Sequence, residues 1–355
     1  MNRREKPQMA QRAQMNKPVG SNPIRAHLCA LCYLWLISFC FLPDALAAEP
    51  AADRPTVIVI VGAAGETDYS PAFAEQATHW EKACQLAGCR RIALGLNADP
   101  AANTVSDYEQ LKHALAAEPT EGVAELWLVL IGHGTFDGKE AKFNLRGPDV
   151  SATELAAWLK PIQRPLAVIN TASASAPFLS KLAGPNRVII SATRSGNEQN
   201  FARFGRFFAE TLTDPKGDLD QDGQTSLLEA FLSASTQVAE FYKTEGRLAT
   251  EHALLDDNGD GLGTPADWFR GTRATKQARN GASLDGARAR QFHLVRSEAE
   301  RKLTAEQRAR RDELELAIEN LRTTKTKLGE AEYYRRLEAL MLELARVYTP
   351  SPAGT

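Results

Sequence analysis

Four short apolar runs most constrain what this chain can become. "TVIVIVGAAG" (56–65), "ELWLVLIGHG" (125–134), "PLAVIN" (165–170) and "NRVIISAT" (186–193) each carry a run of Val, Ile and Leu. A strand wetted on one face alternates apolar and polar residues. An unbroken run needs cover on both faces, which is the situation of a parallel strand inside an α/β sheet. The intervening segments carry helix signals. "PAFAEQATHWEKACQLAG" (71–88) closes at Gly88, and "VSDYEQLKHALAAEP" (105–119) opens at Ser106 and stops at its proline. "SATELAAWLKPI" (151–162) has Ser151 with Glu154 three residues on, a capping box, and "FARFGRFFAETL" (201–212) follows the last run. With "CRRIALGL" (89–96) as a fifth strand, the alternation predicts an α/β domain over 55–213: a doubly wound, mainly parallel sheet.

A chain of 355 residues, 43% apolar and 24% charged, has material for one large domain with appendages or for two domains. Its formal net charge of -2 leaves no basic footprint for nucleic acid. Basic residues (Arg3, Arg4, Lys6, Arg12, Lys17, Arg25) precede the apolar run 28–42, and Ala45-Leu46-Ala47 follows. That order predicts a signal peptide over 1–47, cleaved near Ala47, and a secreted or periplasmic product. The run falls short of the roughly 20 apolar residues of a membrane span, so no stable span is expected after cleavage. Cys29, Cys32 and Cys40 leave with the leader. Cys84 and Cys89 remain, as a disulfide joining a helix end to the next strand or as two buried thiols.

In open parallel sheets, chemistry collects at the carboxyl ends of the strands. His133 and Gly134 end one run, and Ser173 and Ser175 follow the next, in "TASASA". Neighbouring strand ends would set His133 and Ser173 across one crevice, as a base and nucleophile must stand. "VGAAGETD" after the first strand lacks the Gly-Lys-Ser/Thr of a P-loop and the third glycine of a dinucleotide fingerprint.

The order "LWLVLIGHG", "AVINTASASAPFL", "RVIISATRSGNEQNFARFGRFF" resembles the caspase–legumain clan of cysteine peptidases over residues 56–215. That clan has His-Gly after one strand, an Ala-Cys-x-Ser-Gly type turn after the next, then Ser-Ala and a Gly-aromatic-aromatic helix. Glu198 and Gly205-Arg206-Phe207 match the last part, and Asp68-Tyr69 is similar to an Asn-Tyr pair in the legumain first loop. The resemblance puts His133 in the catalytic histidine's place and the Gly134 N–H in the oxyanion donor's. Ala172 and Ser175 match the flanking residues, so Ser173 stands where the clan has its cysteine, and Ala176 replaces the glycine.

A thiol ionises near pH 8.5 and a nearby imidazole suffices to activate it. A serine hydroxyl needs a base in direct contact, itself oriented by a third group. No acid adjoins His133 in sequence, with Asp137 the nearest in the chain. The expectation is a catalytically degenerate peptidase homologue that binds peptide or protein, with two alternatives. One is a serine-dependent hydrolase using Ser173 and His133. The other is a calcium-dependent structural or adhesion protein acting through its tail.

"DLDQDGQTSLLE" places Asp218, Asp220, Asp222, Gly223, Gln224, Ser226 and Glu229 at positions 1, 3, 5, 6, 7, 9 and 12 of an EF-hand loop. Hard oxygens at alternate positions wrap Ca²⁺, and the glycine permits the sharp turn. "DDNGDGLGTPAD" repeats the pattern less strictly with Asp256, Asn258, Asp260, Gly261 and Asp267, and with the Leu262 carbonyl at position 7. Pro215 and Gly217 interrupt any entering helix, so structural calcium is expected in an extension over 214–275 resembling EF-hand or dockerin-like modules. A linker (276–302) would lead to a helical hairpin or coiled coil over 303–348. Its signs are a Thr304/Gln307 capping box, Leu314, Ile318, Leu321 and Leu328 at helical spacing, and a break at Gly329. Such a pair either packs on its own domain with a solvated outer face or serves as an arm for a partner or, in an oligomer, a second copy of the chain.

Overall fold

The computed structural model describes residues 54–96, 105–276 and 284–348. The expected leader, 1–47, lies outside them.

A seven-stranded sheet forms the centre, in the order β10-β9-β8-β7-β3-β1-β2. Strands β1 (Thr56–Val61), β2 (Arg90–Leu94), β3 (Leu126–Ile131), β7 (Leu166–Asn170) and β8 (Arg187–Ser191) run parallel. Every residue of β1, β3 and β7 is buried, as unbroken apolar runs require. Alternate side chains serve opposite layers. Val57 and Val59 face one core with Phe73 and Trp80 of helix α1 (Tyr69–Ala87), Phe208 of a later helix and Phe231 of another. Ile58 and Ile60 face the second core with Leu111 of α2 (Asp107–Ala116), Leu155 of α3 (Ala152–Leu159) and Phe178 of α4 (Ala176–Leu182). The fold is therefore α/β, with a mainly parallel sheet covered on both faces. The Ser106 and Ser151 caps both form, the latter with Glu154 as a complete capping box.

A small antiparallel sheet that the sequence did not advertise sits beyond β3. It consists of β4 (Gly134–Phe136), β5 (Ala141–Phe143) and β6 (Val150–Ser151). It carries the chain straight from His133 back toward the sheet edge.

The expected boundary at 213/214 is not a break in packing. Helix α5 (Phe204–Thr211) packs on α6 (Leu227–Thr244), whose Leu227, Leu228 and Phe231 belong to the first core. Strand β9 (Leu254–Asp256) extends the central sheet, antiparallel to β8, and β10 (Thr264–Pro265) pairs with β9. Acidic loop composition marked where the chain turns outward, but the apolar face of α6 decided where it sits. The described part of the expected linker is likewise seated: Ala289, Phe292 and Leu294 are buried in the first core. The tail forms a hairpin of α8 (Ala305–Thr323) and α9 (Glu330–Val347), following the short α7 (Glu298–Arg301). Leu314, Ile318 and Leu321 are buried, and Gln307 Nε2 donates to the Val347 carbonyl at 3.2 Å. No helix among the described residues is long and apolar enough to cross a membrane.

Candidate functional site

The carboxyl ends of β3 and β7 do place His133 and Ser173 on the same edge of the sheet. Gly134 must approach the Ser173 loop closely, since a Cβ there would stand 2.3 Å from the Ser173 carbonyl oxygen. Gly205 has a matching reason at α5: its Cβ would lie 2.5 Å from Cβ of Thr171 and 2.4 Å from Oε1 of Gln76. The Gly-Arg-Phe step thus lets α5 close onto the end of β7.

Ser173 is only 2% exposed, and its hydroxyl is fully engaged. It accepts from the Gly134 N–H at 3.1 Å and donates to the Gly134 carbonyl at 3.1 Å. Those two backbone groups have no partner in the β4–β5 ladder. Asn144 N donates to the His133 carbonyl, and the Gly134–Phe143 pair is of the type that exchanges no bonds. The Ser173 hydroxyl therefore does the work of a missing ladder partner. The following residue, Ala174, has φ of 53°, a left-handed conformation that an alanine adopts only under restraint. Its N–H donates to the Glu198 carbonyl at 2.8 Å, which supplies that restraint. Ser175 is buried and exchanges hydrogen bonds with Thr193, fixing the loop to the end of β8.

His133 has a different environment. Its ring meets Tyr69 edge-on at 4.7 Å between centroids, Phe73 at 5.2 Å and Phe201 at 6.2 Å. Loss of water in this aromatic cage holds its pKa below the ordinary 6.5, against the opposing pull of a hydrogen bond to the Ala64 backbone and the charge of Glu66. No hydrogen bond joins His133 to Ser173, and none joins either to a carboxylate, among the described residues. Asp137 is exposed and caps its own turn, accepting from the Lys139 and Glu140 N–H groups at 2.8 Å. The three members of the expected constellation are thus adjacent, but the hydroxyl is aimed at the glycine backbone.

The carboxylate–imidazole pair that serine chemistry demands does occur nearby, on another histidine. His252 Nδ1 lies 2.6 Å from Glu198 Oε1, and Glu198 Oε2 accepts the backbone N–H of Arg194 at 3.0 Å and of His252 at 3.2 Å. His252 follows α6 and precedes β9, over fifty residues from Glu198 in the chain, and no local spacing announces the pair.

No family model matches the chain, and no curated protein matches it. Solved structures do. One is the Drosophila initiator caspase Dronc, 12% identical over 61% of this chain and 84% of that one, with a TM-score of 0.41. Another is caspase-1 from Spodoptera frugiperda, 9% identical over 61% of this chain and 91% of that one, with a TM-score of 0.38. Likeness at this level concerns the backbone alone; the chemistry of the crevice follows from this chain's own side chains.

The two acidic loops differ. In the first, the carboxylates of Asp218, Asp220 and Asp222 come within 4.8 Å of one another. Asp218 accepts from the Asp222 and Gly223 N–H groups at 3.1 and 2.9 Å, drawing the loop around itself. Burial and then the charges of Glu229, Asp222 and Asp218 push the Asp220 carboxyl above its ordinary range. Glu229 is 1% exposed: Oε1 accepts from Leu219 and Asp220 N–H, while Oε2 completes the capping box of Ser226 at the start of α6. Gln224 Nε2 donates to Asp222 Oδ2 at 3.3 Å, and its Oε1 accepts from Ser297 N–H at 3.1 Å. These three carboxylates are the group among the described residues that could hold a metal ion, with Glu229 hydrogen-bonded to the Asp220 N–H beside them.

In the second loop, Asp256, Asn258 and Asp260 each accept nearby backbone N–H groups, from Gly259 and Gly261, from Asp260, and from Leu262 respectively. Asp267 is not with them. Its carboxylate is 72% exposed and pairs with Lys276 at 2.9 Å, so the twelfth position is turned outward. Two further acids, Asp257 and Asp285, are buried behind this loop. Asp285 accepts from Asp257 and Asn258 N–H and from the Thr264 hydroxyl, and Asp257 accepts from Gly286 and Ala289 N–H. Asp285 pins the incoming chain near 285–289 to the loop, and with the two acids 28 positions apart no pattern betrays it.

Proposed function

We propose that this chain is a catalytically silent member of the peptidase group it resembles, which binds an extended peptide or protein segment at the β3–β7 strand ends. The observation that carries this reading is the Ser173 hydroxyl, closed onto both polar groups of Gly134. The resemblance gives the Gly134 N–H the role of oxyanion donor, and here that N–H is spent on the residue in the nucleophile's position. Attack by Ser173 would first have to break two buried hydrogen bonds, and His133, neutral and without an orienting acid, offers little in exchange.

The test is labelling of the purified protein with a serine-reactive fluorophosphonate, beside Ser173→Ala. We expect no labelling at Ser173. Labelling that Ser173→Ala abolishes would replace this reading with a serine hydrolase. The binding half is tested by panning a peptide display library and mapping a selected peptide by hydrogen exchange. Protection should fall on 133–136 and 199–201, which meet through the Gln199–Phe136 bond and the Phe201–His133 contact, and protection elsewhere would refute the crevice as the binding surface.

The first acidic loop is proposed to hold structural Ca²⁺ through Asp218, Asp220, Asp222 and Glu229, with the Gln224 carbonyl completing the set. Bound calcium would cancel the repulsion among these carboxylates and so stiffen the entry to α6. Titration calorimetry with CaCl₂ should show a site that Asp220→Asn weakens at least about tenfold; equal binding by the variant would refute the assignment. Export is part of the same proposal, and it predicts a mature N-terminus close to Ala48 by intact mass.

A further inference from the structure

A cavity of about 410 Å³ lies beside β8 and β9, walled by α6. Its volume falls within the roughly 300–1,000 Å³ usual for small-molecule sites. Neither His133 nor Ser173 lines it, so it is separate from the crevice above. Phe204, Val238, Leu254 and Pro265 supply apolar wall, and His252 and Arg194 supply the polar groups.

Those two groups are held and incompletely used. Glu198 fixes His252 through Nδ1 at 2.6 Å, and its second oxygen is anchored by two backbone N–H groups. An imidazole donating Nδ1–H to a carboxylate presents Nε2 as an acceptor in a set orientation. Nε2 makes no hydrogen bond among the described residues. Arg194 stands 3.3 Å from Glu198 through Nε alone, and its terminal nitrogens make none either. A guanidinium edge offers paired N–H donors that match a carboxylate. Beside it sits an acceptor that wants an O–H or N–H. Glu251, the other acid at the wall, is occupied by Arg203 and Phe204 N–H and by the Tyr242 hydroxyl, and Asp267 is paired with Lys276.

We propose that this cavity binds a small carboxylate carrying a hydroxyl on the neighbouring carbon and an apolar body. The carboxylate meets Arg194, the hydroxyl donates to His252 Nε2, and the body lies against Phe204, Val238 and Leu254. The ligand class follows from the donor and acceptor pattern, and the site needs no catalysis at Ser173.

Calorimetry with three probes tests it: 3-phenyllactate, 3-phenylpropionate without the hydroxyl, and 3-phenylpropane-1,2-diol without the carboxylate. Phenyllactate should bind best. Loss of the hydroxyl should cost roughly 3- to 10-fold and loss of the carboxylate roughly 10- to 100-fold. Arg194→Ala, at an exposed side chain, should erase the carboxylate's advantage, and His252→Gln the hydroxyl's. If His252→Gln does not fold, the ring ¹⁵N resonance of His252 in the unaltered protein must shift on adding phenyllactate and not on adding phenylpropionate at equal occupancy. No phenyllactate binding up to about 10 mM, equal binding of all three, or undiminished binding by Arg194→Ala would each overturn the proposal.

Discussion

Replacing Ser173 with alanine separates a structural hydroxyl from a catalytic one. In this fold the hydroxyl satisfies both the N–H and the C=O of Gly134, in a buried position that the β4–β5 ladder leaves open. Alanine removes both bonds and admits no water, because Ser173 is 2% exposed. A buried polar group left without its partner costs about 1–3 kcal/mol. Two such groups share one hydroxyl here, and a small backbone shift can recover part of the loss. We therefore expect Ser173→Ala to destabilise the protein by about 2–3 kcal/mol. In a domain of this size that corresponds to a fall in Tm of roughly 3–5 °C. Urea unfolding followed by tryptophan fluorescence reads it directly, since Trp80 and Trp127 are both fully buried. The midpoint should fall with the slope unchanged. A hydroxyl retained for chemistry behaves in the opposite way, because active-site groups are commonly held at a cost to stability. Equal or greater stability in Ser173→Ala would therefore refute the reasoning and revive Ser173 as a nucleophile.

Ala174→Gly should stabilise the protein by about 0.5–1 kcal/mol in the same urea assay, because φ of 53° strains alanine and suits glycine; a loss of stability would mean that the Glu198 bond does not set this conformation. For His133 the folded pKa lies below the ordinary 6.5, so the unfolded chain takes up the proton first as acid is added. Its contribution is complete above about pH 6.5 and is lost as pH falls through the lower folded value, and His133→Gln should flatten that part of the stability profile. Cys84 and Cys89 are free thiols in mutual contact, with Cys84 pushed up chiefly by its hydrogen bond to Cys89, and Cys89 lowered by the same bond. Iodoacetamide should therefore modify Cys89 well before Cys84 by peptide mass mapping, and the reverse order would contradict the pairing.

The central sheet was legible in the chain because a strand covered on both faces leaves no polar residue in its run, and that pattern is local. Helix starts were legible for the same reason: Ser106, Ser151 and Thr304 each accept a backbone N–H from three residues ahead, a bond closed within one turn. Glu229 was legible as an acid at the right spacing, although its double use, clamping Leu219 and Asp220 while capping α6, became visible only in three dimensions. In segment 214–302 the Asp/Gly loops say where the chain is wet and not which face of α6 is dry, so the seating of α6 in the first core was not legible there.

Sequence alone determined that β3 ends in His-Gly and that β7 runs into Thr-Ala-Ser-Ala-Ser, and parallel strands necessarily bring such ends to one edge. It could not decide where the Ser173 hydroxyl points. That direction depends on which Gly134 groups the β4–β5 ladder leaves unpaired and on the grip of Glu198 on Ala174, both set by residues far away in the chain. The same holds for the Glu198–His252 pair, joined across 54 positions. Hydrophobic periodicity is written in neighbours, whereas the partner of a buried polar atom is chosen by whatever tertiary packing delivers within about 3 Å.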